Sequence, residues 1–168
     1  LSSQCPAPLL EGRAAPLTLD FYNITELGDK AKERFGSKKG KEADVIGVVE
    51  HHKIGKEIKQ SRNWAQSCGW RSTWSSARWT GRSDKGTAGG AAVLSEKHLH
   101  FSSAMLCGKG GEKASTEMKG MDWTAVLLKL RGQTVIFIAA YLTSGLGLRG
   151  ENIRKISEIV RFILKMNL

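Results

Sequence analysis

Hydrophobic and polar positions along this chain change period from one segment to the next, and each change predicts an element. Leu17, Leu19 and Phe21 alternate with Thr18, Asp20 and Tyr22, the two-residue period of a strand that Asn23 closes. Leu27, Ala31 and Phe35 then recur every four residues until Gly36, which predicts a helix with Thr25 as its cap. Residues 43–49 are apolar on both faces and end at Glu50, as an interior strand covered on both sides would be. Weaker helical spacing runs over residues 54–66. Residues 68–78 and 86–94 read as two strands around a polar turn. Residues 101–106 read as a short strand opening a Gly- and Lys-rich loop that lasts to Gly120. Residues 123–130 and 134–141 flank Arg131, Gly132 and Gln133, a hairpin with glycine at its turn. Past a glycine-rich loop, Ile153, Ile156, Val160, Ile163 and Leu164 fall on one face of a terminal helix over residues 151–164.

A strand, a helix and a second strand in quick succession predict a layered α/β domain, with one mixed β-sheet and helices on one side. The domain occupies residues 17–168. Residues 1–16, with Pro6, Pro8 and Pro16 and no sustained period, read as an extended arm or linker. With 168 residues and 40% apolar content the chain can bury one real core. No apolar run is long enough to span a bilayer as a helix.

Charge narrows the partner class. Lys and Arg outnumber Asp and Glu by 26 to 16, a net +10, which favours nucleic acid or another polyanion. Much of the excess falls in one stretch, where Lys53, Lys56, Lys59, Arg62, Arg71, Arg78 and Arg82 are interleaved with Trp64, Trp70, Trp74 and Trp79. Cations neutralise phosphates and indole faces stack on bases, while the same pattern also suits core tryptophans under a solvated basic surface. Cys5, Cys68 and Cys107 lie far apart without a paired Cys/His spacing, so they indicate neither a zinc site nor a disulfide framework.

Three polar residues close predicted strands: Asn23, Glu50 and Tyr141. Strand ends at one edge of a layered sheet gather ligand groups, although strand ends are also polar simply because they meet water. Glu50 offers the hard oxygen that Mg²⁺ prefers, and Asn23 an amide that can accept or donate.

The order of LDFYNITELGDKAKERF, ADVIGVVEHH, GWRSTWSSARWTGRSDKGTAGGAAVL and WTAVLLKLRGQTVIFIAAYL, followed by a helix, resembles the amino-terminal half of the endonuclease/exonuclease/phosphatase superfamily. The resemblance spans about residues 17–165. It implies half of a four-layer α/β sandwich. It also implies that Asn23 closes the first strand, that Glu50 is the carboxylate for the catalytic metal, that Tyr141 touches the scissile phosphate, and that Gly89 and Gly90 open a central strand.

The family continues past this helix into an Asp-x-Asn strand end, a further Asp and a terminal Asp-His pair, whereas this sequence runs to Leu168. His51, His52, His98 and His100 do not stand in those places. The expectation is therefore a truncated, non-catalytic structural or binding subunit without a cofactor, with vestigial site residues, held in a larger assembly that covers the inner sheet face. The alternative is a Mg-dependent endonuclease or phosphatase whose remaining catalytic residues lie elsewhere, with Glu50 as metal ligand. A nucleic-acid-binding module is the third reading. A start at Leu1 fits removal of an organellar leader, with nucleus and cytoplasm as the other compartments.

Overall fold

The computed structural model describes residues 16–37, 42–81, 86–103, 122–130 and 133–166, with the side chains of 100–103 left aside. The expected arm up to Ala15, most of the charge run at 38–42, the hairpin tip with Arg82, and residues 104–121 lie outside these. The described elements are β1 (Leu19–Asn23), α1 (Asp29–Gly36), β2 (Val45–Val49), α2 (Gly55–Ser67), β3 (Trp70–Trp74), β4 (Arg78–Trp79), β5 (Thr87–Ala88), β6 (Ala91–Glu96), β7 (His100–Ser103), β8 (Trp123–Leu130), β9 (Gln133–Ala140) and α3 (Gly150–Lys165).

The first sheet is mixed, in the order β1-β2-β6-β3, with β1 parallel to β2 and the other pairs antiparallel. Its β2 strand is apolar on both faces because both are covered. Ile46 and Val48 join Phe35, Ile58, Ala65, Trp70 and Trp74 under α1 and α2. Val45 and Val49 join Val93, Val126, Leu128 and Ala139 on the opposite side, where the sheet β7-β8-β9 packs face to face with the first. The outer side of β8 and β9 is sealed in turn by Ile159, Phe162 and Met166 of α3, with Trp123 at its centre. The described chain is thus a narrow four-layer sandwich, helix on sheet on sheet on helix.

Three expectations change here. The inner face of the first sheet is not bare: Val45 and Val49 are 2% and 4% exposed, because β8 and β9 fold over that sheet instead of extending it. What stays open is the β1 edge, where Leu19 and Phe21 are 53% and 59% exposed. Phe21 still packs its ring over Gly47, filling the space a Cβ there would take. Thr25 does not cap α1. It sits at φ 50 in the turn after β1 with its N–H directed to Asn23 Oδ1 at 3.4 Å, and α1 begins four residues later at Asp29. The apolar stripe of α3 faces outward, with Ile153, Val160, Ile163 and Leu164 between 41% and 71% exposed. The helix docks through the neighbouring face, where Asn152 and Lys155 are buried on polar partners and Ile159, Phe162 and Met166 pack on Trp123.

Candidate functional site

The parallel pairing of β1 with β2 sets Asn23 against Val49, so Asn23 and Glu50 leave the same sheet edge one residue apart. Glu50 departs from extended geometry with φ 60, in the left-handed region that a non-glycine residue adopts only where its surroundings hold it. Its N–H donates to Gly90 O at 2.9 Å, which fixes that turn. Tyr141 arrives from β9 of the second sheet, its N–H donating to Asp122 O at 2.8 Å. Its phenol donates to the Glu50 carboxylate, and this bond together with partial burial pushes the Tyr141 pKa up to about 12. Two of the three predicted residues therefore meet across the sandwich. Asn23 stands exposed beside them, with its Oδ1 toward Thr25 and its amide nitrogen open.

Gly89 and Gly90 make the convergence sterically feasible. Both lie at positive φ, 76 and 84. A Cβ on Gly90 would come within 2.5 Å of the His51 ring, and one on Gly89 would run into the Asp122 carboxylate and lie 3.2 Å from the Tyr141 ring. The pair opens β6 because no side chain fits there.

His51 is buried and occupied at both nitrogens. Nδ1 accepts the Lys53 N–H at 3.0 Å, which leaves Nε2 to donate to Ser75 O at 3.0 Å. Burial lowers its pKa to about 4, so it is a neutral structural imidazole, available neither as a metal ligand nor as a base. His52, half-buried at φ 60, bonds through its backbone, donating to Gly89 O and accepting from Thr87 Oγ1. His98 lies at the far end of β6 with Glu96 and Asp44, remote in the sheet from Glu50.

The sequence pattern gave no sign of the ionic network beneath Tyr141. Asp122 is buried, accepts the Gly90 N–H at 3.2 Å and pairs with Lys155 Nζ at 2.5 Å. Lys155 also donates to Tyr141 O at 3.2 Å and lies 5.5 Å from its ring centroid. Arg78 joins from β4, 3.7 Å from Asp122 and paired with Glu151. Two carboxylates at this edge are thus committed to cations, which leaves Glu50 facing the open side. Among the described residues no group of three or more His, Cys, Asp and Glu is placed to hold a metal ion. Glu50 fits the narrower requirement of Mg²⁺, one or two carboxylates with water and phosphate completing the shell.

The basic stretch divides. Lys53 and Lys56 line a groove with Trp79 next to the Glu50 edge, while Arg78 is drawn into the ionic network. Arg62 and Arg71 line a different hollow with Trp70 and Lys97, at the opposite end of β3. Lys59 is exposed on α2, and Arg82 lies outside the described residues.

Two solved structures are similar to this chain. One is a 3′ phosphatase from Neisseria bound to a product DNA hairpin, at 14% identity and TM-score 0.45, matched over 88% of this chain and 51% of the other. The second is an AP endonuclease from Archaeoglobus fulgidus, at 14% identity and TM-score 0.42, over 88% of this chain and 49% of the other. The chain spans about half the length of each. No protein-family model and no curated protein sequence matches it.

Proposed function

We propose that this chain is a phosphoester-binding subunit of phosphoesterase descent, which holds a phosphate ester at the Glu50 and Tyr141 edge without turning it over. The observation that carries this reading is the convergence of Glu50 and Tyr141, from two facing sheets, on the Gly89 and Gly90 turn: Glu50 donates its N–H to Gly90 O, and the Tyr141 ring lies against Gly89. In this reading Glu50 would offer its carboxylate to a divalent cation, and the Tyr141 phenol, released from Glu50 by that cation, would donate to a phosphoryl oxygen. When bound, Mg²⁺ would supply charge neutralisation of the phosphate there. The chain's own residues position the ester: Asn23 offers its amide, and the excess of Lys and Arg over Asp and Glu favours a polyanionic ligand.

Hydrolysis needs more than binding. Asp122 and Glu151 are held by Lys155 and Arg78, and His51 is closed on both nitrogens, so none of these three groups is left to activate a water. General-base help is typically worth about 10²- to 10⁴-fold. The test uses residues 1–168 with Mg²⁺ or Mn²⁺ on duplex DNA, single-stranded RNA and a phosphomonoester, alongside Mn²⁺ binding by water-proton relaxation. Binding weakened by Glu50→Gln, without turnover, is the expected result. Turnover abolished by Glu50→Gln would instead make the chain a metal-dependent nuclease or phosphatase, and Mn²⁺ binding indifferent to that change would remove the phosphoester site.

A further inference from the structure

Strand alternation in β4 separates two neighbours. Arg78 turns inward to Asp122 and Glu151, so Trp79 turns outward, where it is 59% exposed. The other four tryptophans behave differently: Trp70, Trp74 and Trp123 are buried, and Trp64 packs against the first core. Trp79 lines an open groove of about 640 Å³ together with His52, Lys53, Lys56 and Thr87. That volume falls within the roughly 300–1,000 Å³ of small-ligand sites.

The groove's charges balance. Glu26 pairs with Lys53 at 3.1 Å, and Glu57 accepts the Ile54 N–H at 3.3 Å while Lys56 remains exposed. A balanced lining gives a free phosphate little preference for this place, but it suits a flat, uncharged ligand with polar edges and an aromatic face. The groove adjoins the site above through His52, which lines it, follows Glu50 by two residues and donates its N–H to Gly89 O at 3.2 Å beside the Tyr141 ring.

We infer that this groove takes an unpaired nucleobase stacked on Trp79 while the adjoining phosphate rests at Glu50 and Tyr141, which makes the ligand a single-stranded polynucleotide. The placement of the phosphate rests on the proposed function; the stacking surface stands on Trp79 and its groove.

The test titrates residues 1–168 with single-stranded oligothymidylate of about ten nucleotides and with an abasic oligomer of equal length. Oligothymidylate should quench tryptophan emission and bind about tenfold tighter than the abasic oligomer. Trp79→Leu should erase that preference and Trp79→Phe should keep most of it. Equal affinity of the unaltered chain for both oligomers, or a preference that survives Trp79→Leu, overturns the inference. Mn²⁺ binding is followed in parallel on the unaltered chain and on Glu50→Gln. Base preference without Glu50-dependent Mn²⁺ binding would sink the phosphoester reading alone, and the converse would sink the stacking alone.

Discussion

Lys155 of α3 sets its ammonium 2.5 Å from the carboxylate of Asp122 at the start of β8, with the two side chains only 7% and 1% exposed. Removing one member of so buried a pair strands the other's charge, which typically costs about 3–5 kcal/mol. Lys155→Met should therefore lower the unfolding free energy obtained from urea titration by an amount in that range. Adding Asp122→Asn should recover part of the loss, since the stranded charge disappears with it. A Lys155→Met protein as stable as the original would show that the pair contributes nothing net.

Tyr141 and Tyr22 are the chain's two tyrosines, so phenolate absorbance separates them once Tyr22→Phe is made. Tyr141 should hold its proton to about 12, and Glu50→Gln should bring it back toward the ordinary 10, because the carboxylate hydrogen bond is the largest cause of the shift. The folded state keeps this proton between 10 and 12 while the unfolded chain loses it, so the tyrosine's contribution to stability declines as pH rises through that window.

His51 carries the opposite dependence. Burial depresses its folded pKa from 6.5 to about 4, so between those values the unfolded chain binds the proton that the folded one refuses. Its contribution is complete above 6.5 and is lost as pH falls toward 4, roughly 3 kcal/mol in all. Denaturant midpoints measured across this range should fall with acid, and the part of the slope owed to His51 should vanish in His51→Gln.

Gly90→Ala should be among the most damaging small substitutions. The φ of 84 alone costs an alanine about 1–3 kcal/mol, and its methyl group would meet the His51 ring. Gly28, whose added Cβ would meet nothing within 4 Å and which has no positive φ, is the control. Thermal unfolding of Gly28→Ala within a degree or two of the original, beside a strongly lowered Gly90→Ala, is the expected contrast.

Although the strands read over residues 68–78 and 86–94 each break in two, into β3 and β4 and into β5 and β6, the sequence by itself determined the alternation of strands and helices and the strand ends at Asn23, Glu50 and Tyr141. These are local properties: period, turn chemistry and the loss of apolar character at an edge are written in consecutive residues. Only the tertiary structure decided which faces meet. Periodicity shows that Val45 and Val49 form an apolar face, but not that β8 and β9 fold back to cover it. The same limit applies to α3, whose most regular apolar stripe faces outward because Lys155 and Asn152 have partners in Asp122, Thr143 and Gly147. Those partners lie in other elements, and a long-range polar contact leaves no period in the chain. The meeting of Glu50 with Tyr141 is of the same kind: each residue is legible at its own strand end, and the hydrogen bond between them exists only once two sheets have been stacked.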